Sequence, residues 1–177
     1  MKLLKYFALT LILLLGCLAL ILYQEDIPSD VVDARYSNTD SQFSELGDLG
    51  RVHYRDEGRR QAPPIILLHG SNASLHTFQP WVTRLKDKFR VVTIDLPGHG
   101  LTGAIPSGNY SREAMAQVVN LLANKLELEH FVIGGNSMGG SVALRYTLNH
   151  PSRISGLVLI NSSGLMGERL EDDDSQE

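Results

Sequence analysis

The sequence predicts an α/β fold: a mostly parallel sheet with flanking helices, preceded by one transmembrane helix. Three observations predict it. Short, continuous apolar runs alternate with helical stretches through the second half of the chain, the pattern of strands covered on both faces. Each run ends in a glycine-bearing turn, at His69-Gly70-Ser71, at Asp95-Leu96-Pro97-Gly98 and at Gly135-Asn136-Ser137. The chain opens on an uncharged span of 18 residues, Tyr6–Tyr23.

Composition narrows the function classes. At 177 residues there is room for one domain, with 43% hydrophobic and 20% charged residues. The net charge of −4 comes with no basic patch, which excludes nucleic acid as an expected partner. A single cysteine, Cys17, excludes an internal disulfide framework and a Cys-rich metal site. The six histidines are scattered with no metal-ligand spacing, so neither metal nor cofactor is implied.

The N-terminal segment, residues 1–23, carries Lys2 and Lys5 before its apolar span. As a helix that span would be roughly 27 Å long, close to the hydrocarbon thickness of a bilayer. Three readings stay open. A cleaved signal peptide has a shorter apolar region and a small-residue cleavage site. A lipoprotein would be processed at Leu14-Leu15-Gly16-Cys17, yet apolar Leu18–Leu22 follows. An uncleaved anchor fits the length. Lysines before the span and Glu25-Asp26 after it place the domain on the extracytoplasmic side.

Residues 24–42 read as a polar tether, or as an ordered extension packed on the domain. The core is expected over residues 43–165. Phe43–Glu57 reads as a hairpin turned at Gly47-Asp48-Leu49-Gly50, with Val52 and Tyr54 alternating with His53 and Arg55. That alternation puts His53 on the surface. Ile65-Ile66-Leu67-Leu68 is a buried strand ending in His69-Gly70-Ser71-Asn72. Leu75–Phe89 reads as a helix with Phe78, Trp81, Val82 and Leu85 on one face. Arg90–Ile94 is the next strand. Ser111 is a candidate N-cap for a helix whose stripe is Met115, Val118, Val119, Leu122 and Leu126.

Phe131-Val132-Ile133 then leads into Gly135-Asn136-Ser137-Met138-Gly139-Gly140, and a helix follows to Asn149, where Pro151 stops it. A strand, a one-residue corner and a helix lift a serine hydroxyl clear of the sheet. Glycines beside it let helix and strand approach closely, and the N–H of Met138 sits at the helix N-terminus. Three fixed positions of this kind match by chance in roughly 5% of chains this long, so the pattern needs its context. Ile154–Ile160 is a last apolar strand, before an acidic tail over residues 166–177.

Together, Leu67-Leu68-His69-Gly70, Asp95-Leu96-Pro97-Gly98-His99-Gly100, Gly135–Gly140 and Leu157-Val158-Leu159-Ile160 resemble the α/β-hydrolase family over about residues 43 to 164. The resemblance implies Ser137 as the catalytic nucleophile and the N–H groups of Ser71 and Met138 as an oxyanion hole. His69, Gly70, Gly135 and Gly139 would shape the site, and Asp95 and His99 would be structural. In this family an Asp or Glu and then a His follow the serine. After Ser137 the chain offers only His150, at the far end of the same helix, and acids from Glu168 onward. The expectation is therefore an N-terminal portion of the fold, halted before its catalytic acid and base. The implied activity is hydrolysis of a small-molecule carboxylic ester, with membrane lipid as the partner of the N-terminal helix. Carbon–carbon bond hydrolysis on the same fold, and a non-catalytic binding relative, are the alternatives.

Overall fold

The computed structural model describes residues 2–24 and 26–163. It contains α1 (Lys2–Leu22), α2 (Ser29–Tyr36), β1 (Ser41–Glu45), β2 (Arg51–Glu57), β3 (Pro64–Leu68), α3 (Gln79–Leu85), β4 (Arg90–Ile94), α4 (Arg112–Lys125), β5 (Phe131–Asn136), α5 (Met138–Asn149) and β6 (Ile154–Ile160). One sheet of six strands runs in the order β1-β2-β4-β3-β5-β6. β1 pairs antiparallel with β2, and β2 antiparallel with β4, while β3 to β6 run parallel.

The apolar run of β3 divides between two cores because successive side chains leave a strand on opposite faces. Ile66 and Leu68 join Val92, Ile94, Val119, Leu122 and Val142 on the face covered by α4 and α5. Leu67, with Ile65 beside it, packs with Phe78, Val82 and Val91 on the other. The Ser111 hydroxyl accepts the Ala114 N–H at 3.2 Å, the N-cap bond expected for α4.

Three details differ from the sequence reading. His53 is fully buried, not a surface residue. β2 lies between β1 and β4, and its second face is covered by the loops that follow β3 and β4, so alternation along it does not mean exposure. The stretch Leu75–Phe89 is a 3-10 turn over Leu75–Phe78 followed by the short α3, and Trp81 is exposed. Phe78, Val82 and Leu85 keep the i, i+4, i+7 spacing of a packed stripe, and Trp81 lies at its edge, its ring against Phe78. The polar stretch over residues 24–42 contains α2. The acidic tail, with Glu168, Glu171 and the acids after them, lies outside the described residues.

β3, β4 and β5 end together at one edge of the sheet, and His69, Asp95 and Ser137 are the residues just past their carboxyl ends. Ligand sites in open parallel sheets form at such an edge.

Candidate functional site

Ser137 occupies the corner between β5 and α5 with φ 51° and ψ −116°. A side-chain-bearing residue in this region carries strain on the order of 1–3 kcal/mol, which the surroundings must hold in place. Here the backbone does so. The Ser137 N–H donates to Ile160 O at 3.0 Å, and its carbonyl accepts the N–H groups of Gly140 at 3.0 Å and Ser163 at 3.2 Å. The glycines of the corner have no room for a side chain. A Cβ at Gly135 would run into the backbone of Gly139, and one at Gly139 into the carbonyls of Leu68 and His69. Gly70 faces Ser137 from the β3 loop, and a Cβ there would stand 3.3 Å from the serine Cβ.

Ser71 and Met138 flank this corner, and the Ser71 hydroxyl reaches the Met138 sulfur at 3.5 Å. Among the described residues, neither the Ser71 nor the Met138 N–H donates to another protein group. Two backbone N–H groups beside a half-buried serine hydroxyl, one at a helix N-terminus, can hold negative charge developing on a substrate oxygen.

The opposite wall is built from side-chain hydrogen bonds. Asp95 Oδ1 accepts the Leu75 N–H at 2.7 Å, and Oδ2 accepts the Leu101 N–H at 2.9 Å and bonds His53 Nδ1 at 2.7 Å. Thr102 donates to the Asp95 carbonyl at 2.6 Å and accepts the His53 N–H at 2.9 Å. Burial opposes the charge on Asp95, but the bonds from His53, Leu75 and Leu101 outweigh it and hold the carboxyl below its usual range. His69 Nδ1 donates to Gly70 O at 2.7 Å, and Nε2 accepts the Leu96 N–H at 3.0 Å. That bonding requires the neutral ring, and burial keeps its pKa low. His69 therefore ties the Gly70 turn to the β4 loop, and both its nitrogens are engaged.

Between the walls lies a cleft of about 490 Å³, lined by Ser71 and Met138 on one side and by Pro97, His99, Tyr110 and Met115 on the other. Its lining is mainly apolar, and the phenol of Tyr110 closes over Gly98. An uncharged organic group fits it better than an anion.

The structure gathers Ser137, Met138, Ser71, Gly70, His69, Gly135 and Gly139 in one place. It leaves His150 apart: His150 caps the C-terminus of α5, roughly 18 Å from the serine at the other end, and stacks on Tyr146. All six histidines lie among the described residues, and none hydrogen-bonds Ser137. Sequence reasoning missed His53 and Thr102 as supports of the site. The polar residues along β2 were a signal, since a strand inside a sheet must satisfy them, but nothing local names Asp95 as the partner.

Comparison with known proteins agrees with this fold. The profile described as alpha/beta hydrolase fold matches residues 63–175. Haloalkane dehalogenase 2 of Mycobacterium tuberculosis is 33% identical over 114 residues, 64% of this chain and 39% of its own length. An uncharacterised hydrolase of Saccharomyces cerevisiae is 32% identical over 129 residues, 72% of this chain and 44% of its own. The chain thus spans less than half the length of the curated relatives it matches. Among solved structures, a membrane phospholipase A described as a bacterial virulence factor superposes with a TM-score of 0.69 at 27% identity, over 93% of this chain and 54% of its own. Residues 41–177 make up 137 of the 177 positions, so that superposition takes in part of residues 1–40.

Proposed function

Because the chain belongs to the alpha/beta hydrolase fold family, we propose that it is a membrane-anchored serine hydrolase that cleaves carboxylic esters through an acyl-enzyme on Ser137. The observation that carries the reading is the strained serine at the β5–α5 corner, flanked by the free N–H groups of Ser71 and Met138. Attack of the hydroxyl on an ester carbonyl expels the alcohol and leaves an acyl group on the serine, with the carbonyl oxygen held by the two N–H groups. Water then releases the acid. The same serine attacking an alkyl halide would form an ether, which has no carbonyl for water to attack. The likeness to a dehalogenase therefore supports the fold and not that reaction.

The mainly apolar cleft suits the acyl or alkoxy part of an ester. The likeness to a membrane phospholipase, reaching into the first forty residues, supports α1 as an anchor, and Lys2 and Lys5 support a domain outside the cytoplasm. The role of histidine base is not filled by any of the six histidines as they are placed. A non-catalytic relative that binds a small molecule in the same cleft is the second reading, favoured by that observation.

The experiment is treatment of the full chain in membranes with a fluorophosphonate probe, with the adduct mapped by mass spectrometry. The expected result is a slow adduct on Ser137, absent in Ser137→Ala, in a protein that stays in the pellet after a carbonate wash. An adduct that persists in Ser137→Ala overturns the nucleophile, and no adduct at all favours the binding reading.

A further inference from the structure

α2 is eight residues long and none of its residues is buried, so neither length nor apolar packing accounts for its place in the structure. What holds it is one side-chain cluster. Arg51, at the start of β2, gives a two-pronged ion pair to Asp33 of α2, Nη1 to Oδ2 at 2.5 Å and Nη2 to Oδ1 at 3.1 Å. The same Nη2 donates to the carbonyl of Leu101 at 3.0 Å. The guanidinium is fixed from a third side by the Phe43 ring, 4.4 Å from its centroid. A paired, half-buried guanidinium of this kind is a rigid fork, not a loose surface contact.

The far side of the cluster is the rim of the cleft. Ser29, Val32 and Asp33 of α2 face Leu101–Ala104 across a small hollow of about 240 Å³. Gly103 and Ala104 also line the main cleft beside Ser71 and Met138. At its other end α2 is tied to α1 by the chain itself. From Leu22 to Ser29 there are seven Cα steps, which span at most about 25 Å.

We propose that Asp33 and Arg51 are positioning residues that dock α2 on the cleft rim at Leu101–Ala104 and so hold the cleft mouth within reach of the bilayer, to receive an ester that resides in the membrane. This rests on the anchor and on the Ser137 reading above. A tether without the clamp would leave the domain free to turn its cleft to bulk water. With the clamp, Ser29 on the rim hollow lies at most about 25 Å along the chain from the end of α1.

The test uses the full chain with Cys17→Ser, reconstituted in phosphatidylcholine vesicles. A donor dye is attached at Ser107→Cys, on the exposed loop beside the rim, and an acceptor dye is carried on lipid headgroups. Energy transfer should fall several-fold in Asp33→Arg, fall less in Asp33→Asn, and return in the exchanged pair Asp33→Arg with Arg51→Asp. Ser137-dependent hydrolysis of a vesicle-borne ester should fall with it, while hydrolysis of dispersed p-nitrophenyl butyrate stays as it was. Equal transfer in all variants overturns the clamp, as does equal loss on both esters. Should no variant turn over any ester, energy transfer alone judges the clamp, and the Ser137 adduct separately judges the nucleophile. Asp33→Asn preserves shape and serves if the charge reversal unfolds.

Discussion

The two walls of the cleft are held by opposite means. The β5–α5 wall depends on absent side chains: Gly135 and Gly139 leave no space between strand and helix, and the strained Ser137 is fixed by backbone bonds alone. The β3–β4 wall depends on a single buried carboxylate, Asp95, which gathers two backbone N–H groups and an imidazole from three separate segments. The residue types the first wall requires, glycines around one serine, lie within a few consecutive positions, although the backbone bonds that hold it reach Ile160 and Ser163. The second is specified by contacts across 20 and 42 positions of sequence. The lesson is that one sheet edge can be signalled by consecutive residues on one side and by a buried long-range carboxylate on the other, and the two sides should fail differently.

The sharpest contrast comes from removing the carboxylate. Asp95→Ala leaves the Leu75 and Leu101 N–H groups and His53 without an acceptor in a buried site, and should cost about 3–5 kcal/mol. A thermal melt of the full chain in detergent measures it. If the loss is below about 1 kcal/mol, the second wall is not held as described.

On the other wall, Gly139→Ala drives a methyl into the carbonyls of Leu68 and His69 and should cost about 1–3 kcal/mol. Gly140→Ala should cost less: the Ser162 Oγ can rotate away, the Ser162 Cβ at 2.7 Å moves with its loop and the Gly135 carbonyl oxygen stands at 3.0 Å, whereas Gly139 meets backbone atoms at 2.2–2.6 Å. Equal costs at the two glycines would show that the tight backbone approach is not what fixes the corner.

The smallest effect is in pH. His69 has a pKa lowered by burial, so protons bind the unfolded ring first, and stability should decline as pH falls below the usual histidine value of about 6.5. His76, lowered by burial and then by Arg55, contributes in the same window. Asp95 has its pKa lowered, so its contribution is present above the unfolded value of about 3.9 and is lost as pH falls below it. Melting temperature against pH should therefore fall in two stages, and His69→Gln should flatten the first without touching the second.

The local wall was legible in the sequence. The Gly135–Gly140 stretch between an apolar run and a helix carries its own geometry, and the carboxyl ends of β3 and β4 were legible from the turns after them. Legibility stopped where a residue's environment comes from far along the chain. His53 alternates with apolar neighbours and reads as exposed, because nothing near it reveals that the loops after β3 and β4 cover it. Trp81 reads with the apolar stripe because it follows Phe78 by three positions, but it sits at the edge of the stripe that Phe78, Val82 and Leu85 form. α2 reads as tether because its place is set by Arg51, fifteen residues beyond its end.

The bonds from Ser137 to Ile160 and Ser163 also bear on the order of folding. The corner needs a strained backbone, and the partners that hold it come from β6 and the residue group just after it, more than twenty positions later in the chain. Closing that loop must come before its contacts give anything back, so local elements such as α4 form first and the serine corner is completed only when β6 docks on β5. A partly folded chain would then carry much of its helix and sheet while the hydroxyl is still unaimed. The Ser137 hydroxyl would be among the last groups to reach its native place, and on the proposed nucleophile reading a chemical probe of that serine would report completion of the fold more strictly than any measure of secondary structure.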